Sequence, residues 1–529
     1  MKSVTVESKV FKKISTNKLS DFLGQQIPKS REAIDSLPPW KQGLKINPTP
    51  INNCPRQIVI TLANHIYIKI DALPPQLIAR LKRLASFSNP IFFKTQSLRF
   101  STHGIPRYIT CARIEQGYLS LPRGCLDEME TLFEEQGITI DIDDKRQPGQ
   151  KLSSLKFLGR LRKDQAKAVK AISKYNTGVL HAPTAFGKTV AAIGLISKRK
   201  TNTLILTHSR QLIEQWQERL QFFLSGAEIG IIGGGKKKST GQIDIATYQS
   251  LISKKDTYSD TGGVNPLIQD YGQIIIDECH HISAPSFERV LNEVRSAFVL
   301  GLTATPDRQD GHQKIIFMLA GPIRHKVKAN HADKFEQHVV VNRLSHEAPN
   351  GLANPETRPR ISDVYSWLAK DELRTQRILD DIATAVAEGK NPLVLTERRE
   401  HAELINEELI KSGFQTVILR GGMRAKERTA ANEQLSNTQI IVATGKYVGE
   451  GFDLPRLDTL FLALPIAWKG SLAQYAGRIH RESEGKDQVT IFDYVDSSLP
   501  MLERMSRKRE KGYKAMGYQL TYSDKDASL

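Results

Sequence analysis

Cysteine is scarce in this chain. Cys54, Cys111, Cys125 and Cys279 are the four present in 529 residues, and no two have C-x-x-C spacing. That pattern offers neither a zinc site nor a disulfide framework, and it fits a reducing cytosol, at the nucleoid if the chain is prokaryotic. Long apolar runs are also missing: none approaches the roughly 18 residues that span a bilayer, and no basic amphipathic anchor stands out. The opening "MKSVTVESKVFKKIS" is basic but has no apolar h-region, so a secretory leader is not expected. No repeat of fixed period is present, and no P-D-x(n)-E-x-K arrangement marks a nuclease.

Negative charge is in deficit as well. Against 75 Lys and Arg stand 57 Asp and Glu, a net +18, which predicts affinity for a polyanion. With no membrane anchor in sight, nucleic acid is the first candidate. The composition, 40% hydrophobic and 25% charged, is that of a globular chain, and the length implies about three or four domains.

Residues 1–55 are polar and punctuated by Pro28, Pro38, Pro39, Pro48 and Pro50, and read as a loosely ordered basic arm. Over 56–145, strand-like runs such as "QIVITLANHIYIKI" and "GITIDIDD" surround two amphipathic helical stretches, "PPQLIARLKRLA" and "CLDEMETLFEEQ". This predicts a small α+β accessory module. The segment "DDKRQPGQKLSS" reads as a linker. Over 146–325 short apolar runs ("GVLHA", "TLILT", "IDIAT", "QIIIDE", "FVLGLTA") alternate with helical stretches, the pattern of a parallel sheet covered by helices. The same rhythm returns over 361–500 in "PLVLTE", "QTVILR", "TQIIVATG", "TLFLALP" and "QVTIFDYV". Residues 326–360 read as a connector, and 501–529 as a basic tail that is either a solvated helix or an extension of a nucleic-acid path.

Ligands of parallel α/β sheets bind beyond the carboxyl ends of the strands, and chemically apt residues stand where these runs stop. "HAPTAFGKTV" ends like a phosphate-binding (Walker A) loop, although Ala182 replaces its first glycine and Ala185 and Phe186 fill the middle. Backbone N–H groups of residues 184–189, entering a helix, could wrap a β-phosphate. Lys188 would reach the β- and γ-phosphates, and the Thr189 hydroxyl would ligate Mg²⁺. Asp277 could hold the same metal, commonly through water, and Glu278 could orient and deprotonate an attacking water. Taken singly, G-K-T before a helix, D-E after a strand and T-A-T are common. Their order along one chain is not.

These residues resemble those of the superfamily 2 helicases and translocases, with "APTAFGKT" similar to motif I, "DECH" to motif II and "TAT" to motif III. "VATGKYVGEGFDLP" is similar to motif V and "QYAGRIHR" to motif VI. The resemblance implies two tandem RecA-like α/β domains behind the α+β module, with ATP as substrate and Mg²⁺ as cofactor. It places Pro183, Thr184, Ala185, Phe186, Gly187, Lys188 and Thr189 around the phosphates and Gln165, supported by Arg162, at the base. Gly451 and Asp453 fall near the ribose. Gln474, Arg478 and Arg481 fall beside the γ-phosphate, the arginines as fingers that stabilise transferring charge. His280, Thr303 and Thr305 would couple hydrolysis to movement. Phe186 is expected to face outward or toward the second domain, and Ala185 either to do without positive φ or to bear a modest strain there.

For the nucleic-acid backbone the resemblance points to Thr207, His208, Ser209 and Arg210 in "LTHSRQLIEQW", to Thr247 and Gln249 in "ATYQS", to Thr396 in "LTERREHAELI", to Arg420 and Gly421 in "LRGGM", and to Thr444. Each could equally cap a helix or close a turn. Backbone contacts predict sequence-independent, salt-sensitive binding. "IEQW", "TATPDRQDG", "GPI" and "MSRKREKGYKAMGY" are similar to the excision-repair and restriction-type DNA translocases. That branch implies 3′→5′ movement on DNA, an N-terminal module that binds distorted DNA and, in mobile-element or defence settings, a partner nuclease or primase. An RNA helicase, or an ATP-switched clamp that does not unwind, would share the same nucleotide residues.

Overall fold

A computed structural model describes residues 50–523 except 72, 184–185, 253–262, 282–284, 306–310, 328–334, 345–346, 354–358, 436, 449–453, 467–468, 482 and 484. The arm 1–49 and the candidate residues Thr184, Ala185, Gly451 and Asp453 therefore lie outside the described residues.

The accessory module is a five-stranded sheet in the order β5 (Arg113–Glu115), β6 (Tyr118–Pro122), β2 (His65–Lys69), β1 (Gln57–Leu62), β7 (Thr139–Asp144). Strand β1 runs antiparallel to β2 and parallel to β7. Ile58, Ile60 and Leu62 alternate inward along β1, as a half-buried strand requires. Helices Pro75–Leu84 and Leu126–Glu135 contribute Leu77, Leu81, Met129 and Phe133 to the core. A short pair, β3 (Ser86–Ser88) and β4 (Tyr108–Thr110), forms a lobe around helix Pro90–Ser97.

This module is fused to the next domain rather than tethered to it. Its apolar core continues into that of the first α/β domain. Asp127 pairs with Arg324 through two hydrogen bonds, and the buried Arg123 guanidinium donates to the Ser296 carbonyl. Gly124 lies so close to helix Gln313–Ala320 that a Cβ there would meet the Phe317 carbonyl oxygen at 1.9 Å. The segment read as a linker is stitched to the domain as well: Gln147 bridges Ser296, Lys151 bridges Thr201, and the Gln150 N–H donates to Asn202 Oδ1 at 2.9 Å. Its Gly and Pro content serves a pinned crossing, not a free hinge.

The first α/β sheet has eight strands in the order β13 (Lys236–Lys238), β12 (Ile229–Gly233), β14 (Ile243–Thr247), β10 (Thr203–Thr207), β15 (Gln273–Ile276), β16 (Phe298–Thr303), β9 (Thr177–His181), β17 (Ile323–Lys326). All pairs are parallel except the β12–β13 hairpin. A two-residue pair, β8 (Lys156–Phe157) with β11 (Leu224–Ser225), flanks it. The second sheet is parallel throughout: β20 (Thr416–Leu419), β21 (Ile440–Thr444), β19 (Pro392–Thr396), β22 (Thr459–Leu462), β23 (Gln488–Asp496), β18 (Glu336–Leu344), β24 (Gln519–Ser523). The tandem parallel-sheet architecture is the one the alternating apolar runs predict, and every run quoted above forms a strand.

Two segments differ from their sequence reading. Residues 326–360, read as a connector, contain β18, a nine-residue strand inside the second sheet; its "VVV" core was overshadowed by the polar, Pro-rich stretch behind it. Residues 501–529, read as a basic tail, supply most of helix Pro500–Met516 and the edge strand β24. That helix buries Leu502, Met505, Arg509 and Tyr513 against the sheet, because Asp493 gives the buried arginine a partner.

Candidate active site

Helix Lys188–Arg199 starts directly after β9, with Gly187 as its N-cap at φ 78°. A side chain there would be strained and would meet Gln165 Nε2 at 2.7 Å. Gln165 and Arg162 both donate to the Phe186 carbonyl, Gln165 Nε2 at 2.9 Å, so the two residues expected at the base grip the phosphate loop itself. Phe186 corrects an expectation. Its ring is 3% exposed and packs in the first domain's own core with Leu180, Ala182 and Ala168, not outward or toward the second domain. An aromatic ring in the loop's middle anchors it by burial where glycine could not.

At the end of β15, Asp277 and Glu278 project from the strand's edge, with Glu278 at φ 45°. A non-glycine residue in that region carries strain of about 1–3 kcal/mol. Lys188 Nζ lies 3.6 Å from Glu278 Oε1 and donates to the Ala182 carbonyl at 3.4 Å. His280 Nδ1 is 3.3 Å from Glu278 Oε2 and 3.4 Å from the Thr303 hydroxyl, which in turn accepts from the Thr305 N–H at 3.1 Å. Motifs I, II and III thus meet through Lys188, Glu278, His280 and Thr303 at three strand ends. Thr189 is the next residue of the Lys188 helix and is half-buried.

Asp277 is held by a residue the sequence reading passed over. Trp216, fully buried on helix Arg210–Phe223, donates its indole N–H to Asp277 Oδ2 at 2.7 Å, while the Glu278 N–H donates to Oδ1 at 3.0 Å. Burial and the neighbouring Glu278 push the Asp277 carboxyl up to about 6. Burial also pushes the Cys279 thiol well up, so it is an inert core group. "LIEQWQERL" shows an amphipathic helix, and nothing in that pattern separates a core tryptophan from one that orients a carboxylate.

In the second domain Gln474 and Arg478 are buried on helix Lys469–Ile479, and Arg481 follows just beyond it. The Tyr475 hydroxyl donates to Glu397 at 3.4 Å, joining the β19 strand end to this helix.

Two family models match this layout in order. The type III restriction enzyme res subunit model matches residues 158–308, and the helicase conserved C-terminal domain model matches 374–483. Together the two matches are consistent with a superfamily 2 helicase of the restriction- and repair-type branch. Among its relatives, a DNA 3′-5′ translocase of Sulfurisphaera tokodaii is 38% identical over 31% of this chain and 35% of its own length. A protein named as an ATP-dependent RNA helicase of Acanthamoeba polyphaga mimivirus is 28% identical over 72% of each chain. One named as a DNA 3′-5′ helicase of Haloarcula marismortui is 27% identical over 63% of this chain and 52% of its own.

The residues expected to contact a nucleic-acid backbone divide in the structure. Ser209 caps helix Arg210–Phe223 by accepting from the Leu212 N–H at 3.4 Å. Arg210 is half-exposed beside Glu214. Gln249 donates to the His208 carbonyl at 3.3 Å, linking two candidate motifs. Arg420 pairs with Glu403 at 3.1 Å, and the exposed Gly421 accepts from Arg399 at 2.9 Å. Three of the threonine hydroxyls are engaged within the fold. Thr207 is fully buried, with its hydroxyl donated to the Ser209 and Ala246 carbonyls. The Thr396 hydroxyl is buried against His401 Nδ1 at 3.0 Å. The Thr247 hydroxyl bonds to Ser250 at 2.6 Å. At such strand ends the hydroxyl closes the turn. Thr444 is also buried, and its hydroxyl has no partner among the described residues. The helicase reading also overlooked the β12–β13 hairpin, "IIGGGKKK", whose glycine turn packs beside Arg210, Thr247 and Ser250. Three glycines followed by three lysines between strands was a legible signal. No described helix is long and apolar enough to cross a membrane.

Proposed function

We propose that the chain is an ATP-driven translocase on DNA that moves 3′→5′ on one strand, with unwinding or remodelling as the outcome. The observation that supports this best is the junction of Lys188, Glu278, His280 and Thr303, which links a phosphate-binding lysine to the strand end behind motif III. In this reading Lys188 and the backbone N–H groups of residues 184–189 bind the phosphates of ATP, while Gln165 and Arg162 relay base contacts to that loop. Glu278 takes the proton of the attacking water. Gln474, Arg478 and Arg481 meet the γ-phosphate when the domains close. His280, Thr303 and Thr305 carry the change to the strand ends that touch the DNA backbone, including His208, Arg210, Gln249, Arg420 and Gly421.

The donor set suits magnesium. Two adjacent carboxylates lie beside a single lysine, and burial, with Glu278 adding to it, pushes the Asp277 carboxyl up. Asp277 and Thr189 would hold the ion, and Mg²⁺ keeps most of its waters and takes one or two carboxylates beside phosphates. When bound it offsets charge on the phosphates.

The 38% identity to a DNA 3′-5′ translocase favours DNA; the longer match to a protein named as an RNA helicase favours the second reading, an RNA motor. ATPase rates with single-stranded, duplex and forked DNA and with RNA decide between them. Stimulation by DNA over RNA is expected. Failure of every nucleic acid to stimulate hydrolysis would sink the motor, and stimulation without translocation or strand displacement would leave an ATP-switched clamp.

A further inference from the structure

The lobe at 86–110 has a composition unlike the rest of the module. From Pro90 to Thr110 there is no Asp or Glu, while Lys94, Arg99 and Arg107 alternate with Phe92, Phe93, Phe100 and Tyr108. Helix Pro90–Ser97 buries none of its residues. Phe100 is 68% exposed and Tyr108 58%, with Ile91, Phe93 and Leu98 also exposed. Apolar surface gathered this way on a folded domain normally has a ligand.

The lobe is built to hold these groups outward. Asn89 is buried: its side chain accepts from the Ile91 N–H at 3.1 Å and donates to the Pro106 carbonyl at 2.8 Å, and its N–H donates to the Arg107 carbonyl at 2.9 Å. The β3–β4 pairing closes the base. Arg107 sits 5.8 Å from the ring centres of both Phe93 and Tyr108, so cation and rings form one surface. At its foot the lobe meets the motor: Pro90 packs on Gly311, and Phe87 meets His312 edge-on with ring centres 6.2 Å apart. Both contacts are made by residues 311 and 312, which follow β16 in the chain.

We infer that this lobe is a base-stacking surface for unpaired nucleotides, separate from the backbone track of the motor. Each nucleotide brings a flat π-face and a negative phosphate, and the lobe offers rings and cations in alternation with no opposing charge. The inference rests on the motor reading only for the class of ligand. Its foot on Gly311 and His312 ties stacked bases to the first α/β domain.

The test is equilibrium binding of the full chain to an end-labelled single-stranded DNA and to a same-length strand of abasic residues. The base-bearing strand should bind more tightly. Phe100→Ala with Tyr108→Ala should lower its affinity about 5- to 100-fold and leave the abasic strand unaffected, with an unchanged thermal midpoint as the folding control. Phe100→Tyr with Tyr108→Phe should restore the preference, and Arg99→Gln with Arg107→Gln should flatten the salt dependence by about 0.7 per lost phosphate contact. Equal binding of both strands by the native chain, or an undiminished preference in the double alanine variant, would overturn the stacking surface. The two readings fail separately. A chain whose ATPase ignores nucleic acid loses the motor whatever its lobe binds, whereas a stimulated chain blind to bases keeps the motor and loses the lobe's role.

Discussion

Each α/β sheet of this chain holds a pair of carboxylates on or just beyond an interior parallel strand, and the two pairs live under opposite conditions. Glu278, just beyond β15, faces Lys188 at 3.6 Å, and the adjacent Asp277 carboxyl is pushed up by burial and by Glu278. Asp493, on β23, accepts from Arg509 at 2.8 and 2.9 Å and from the Tyr513 hydroxyl at 3.0 Å. Burial alone would depress Arg509, yet Asp493 holds it above its usual value. Asp496 is paired with the fully buried Arg374, which also donates to the Ala463 carbonyl at 3.0 Å. Compensated carboxylates fasten a domain; under-compensated ones at the same topological place leave work for a ligand.

The contrast can be broken at either end. Glu278→Gln should cut ATP hydrolysis by about 10²- to 10⁴-fold while nucleotide binding persists, measured by steady-state ATPase and fluorescent-nucleotide titration; retained turnover would remove the catalytic assignment. Arg509→Met strands Asp493 and should cost about 3–5 kcal/mol of second-domain stability, read by denaturant unfolding, and adding Asp493→Leu should recover much of it. Trp216→Phe keeps the ring and removes the hydrogen bond to Asp277. The Mg²⁺ concentration that half-saturates nucleotide binding should then rise about tenfold, while metal-free binding stays unchanged. The smallest effect at neutral pH concerns His401, beside Thr396, whose pKa burial lowers to about 3, with Arg374 adding to the shift. The folded state keeps it neutral and the unfolded chain protonates it near 6.5, so its contribution is intact above about 6.5 and declines toward pH 3 at up to about 1.4 kcal/mol per pH unit. His401→Gln should flatten the stability profile in that window.

What the sequence disclosed follows from locality. Motifs I to III are contiguous strings at strand ends, so their order and chemistry could be read directly, and the apolar runs named the strands because buried parallel strands are apolar throughout. What stayed hidden depends on partners far along the chain. Trp216 becomes informative only when Asp277 lies against it. Arg509 in "MSRKREKGYK" looks solvated until Asp493 is placed. Phe186 seemed to have nowhere to go inside a phosphate loop because its cavity is built by other elements. Thr207, Thr247 and Thr396 sit at the expected strand ends, but a hydroxyl there can turn inward as easily as outward, and only packing decides.

Strand β18 has a consequence for how the molecule is made. It pairs with β23 on one side and β24 on the other, both of which emerge from the ribosome long after it. At synthesis rates of about 5–20 residues per second, β18 waits many seconds with both hydrogen-bonding edges open, while the accessory module and first sheet already hold all their strands. The second domain therefore folds last and all at once. The apolar "HVVV" segment is the stretch of a nascent chain that a chaperone would need to cover.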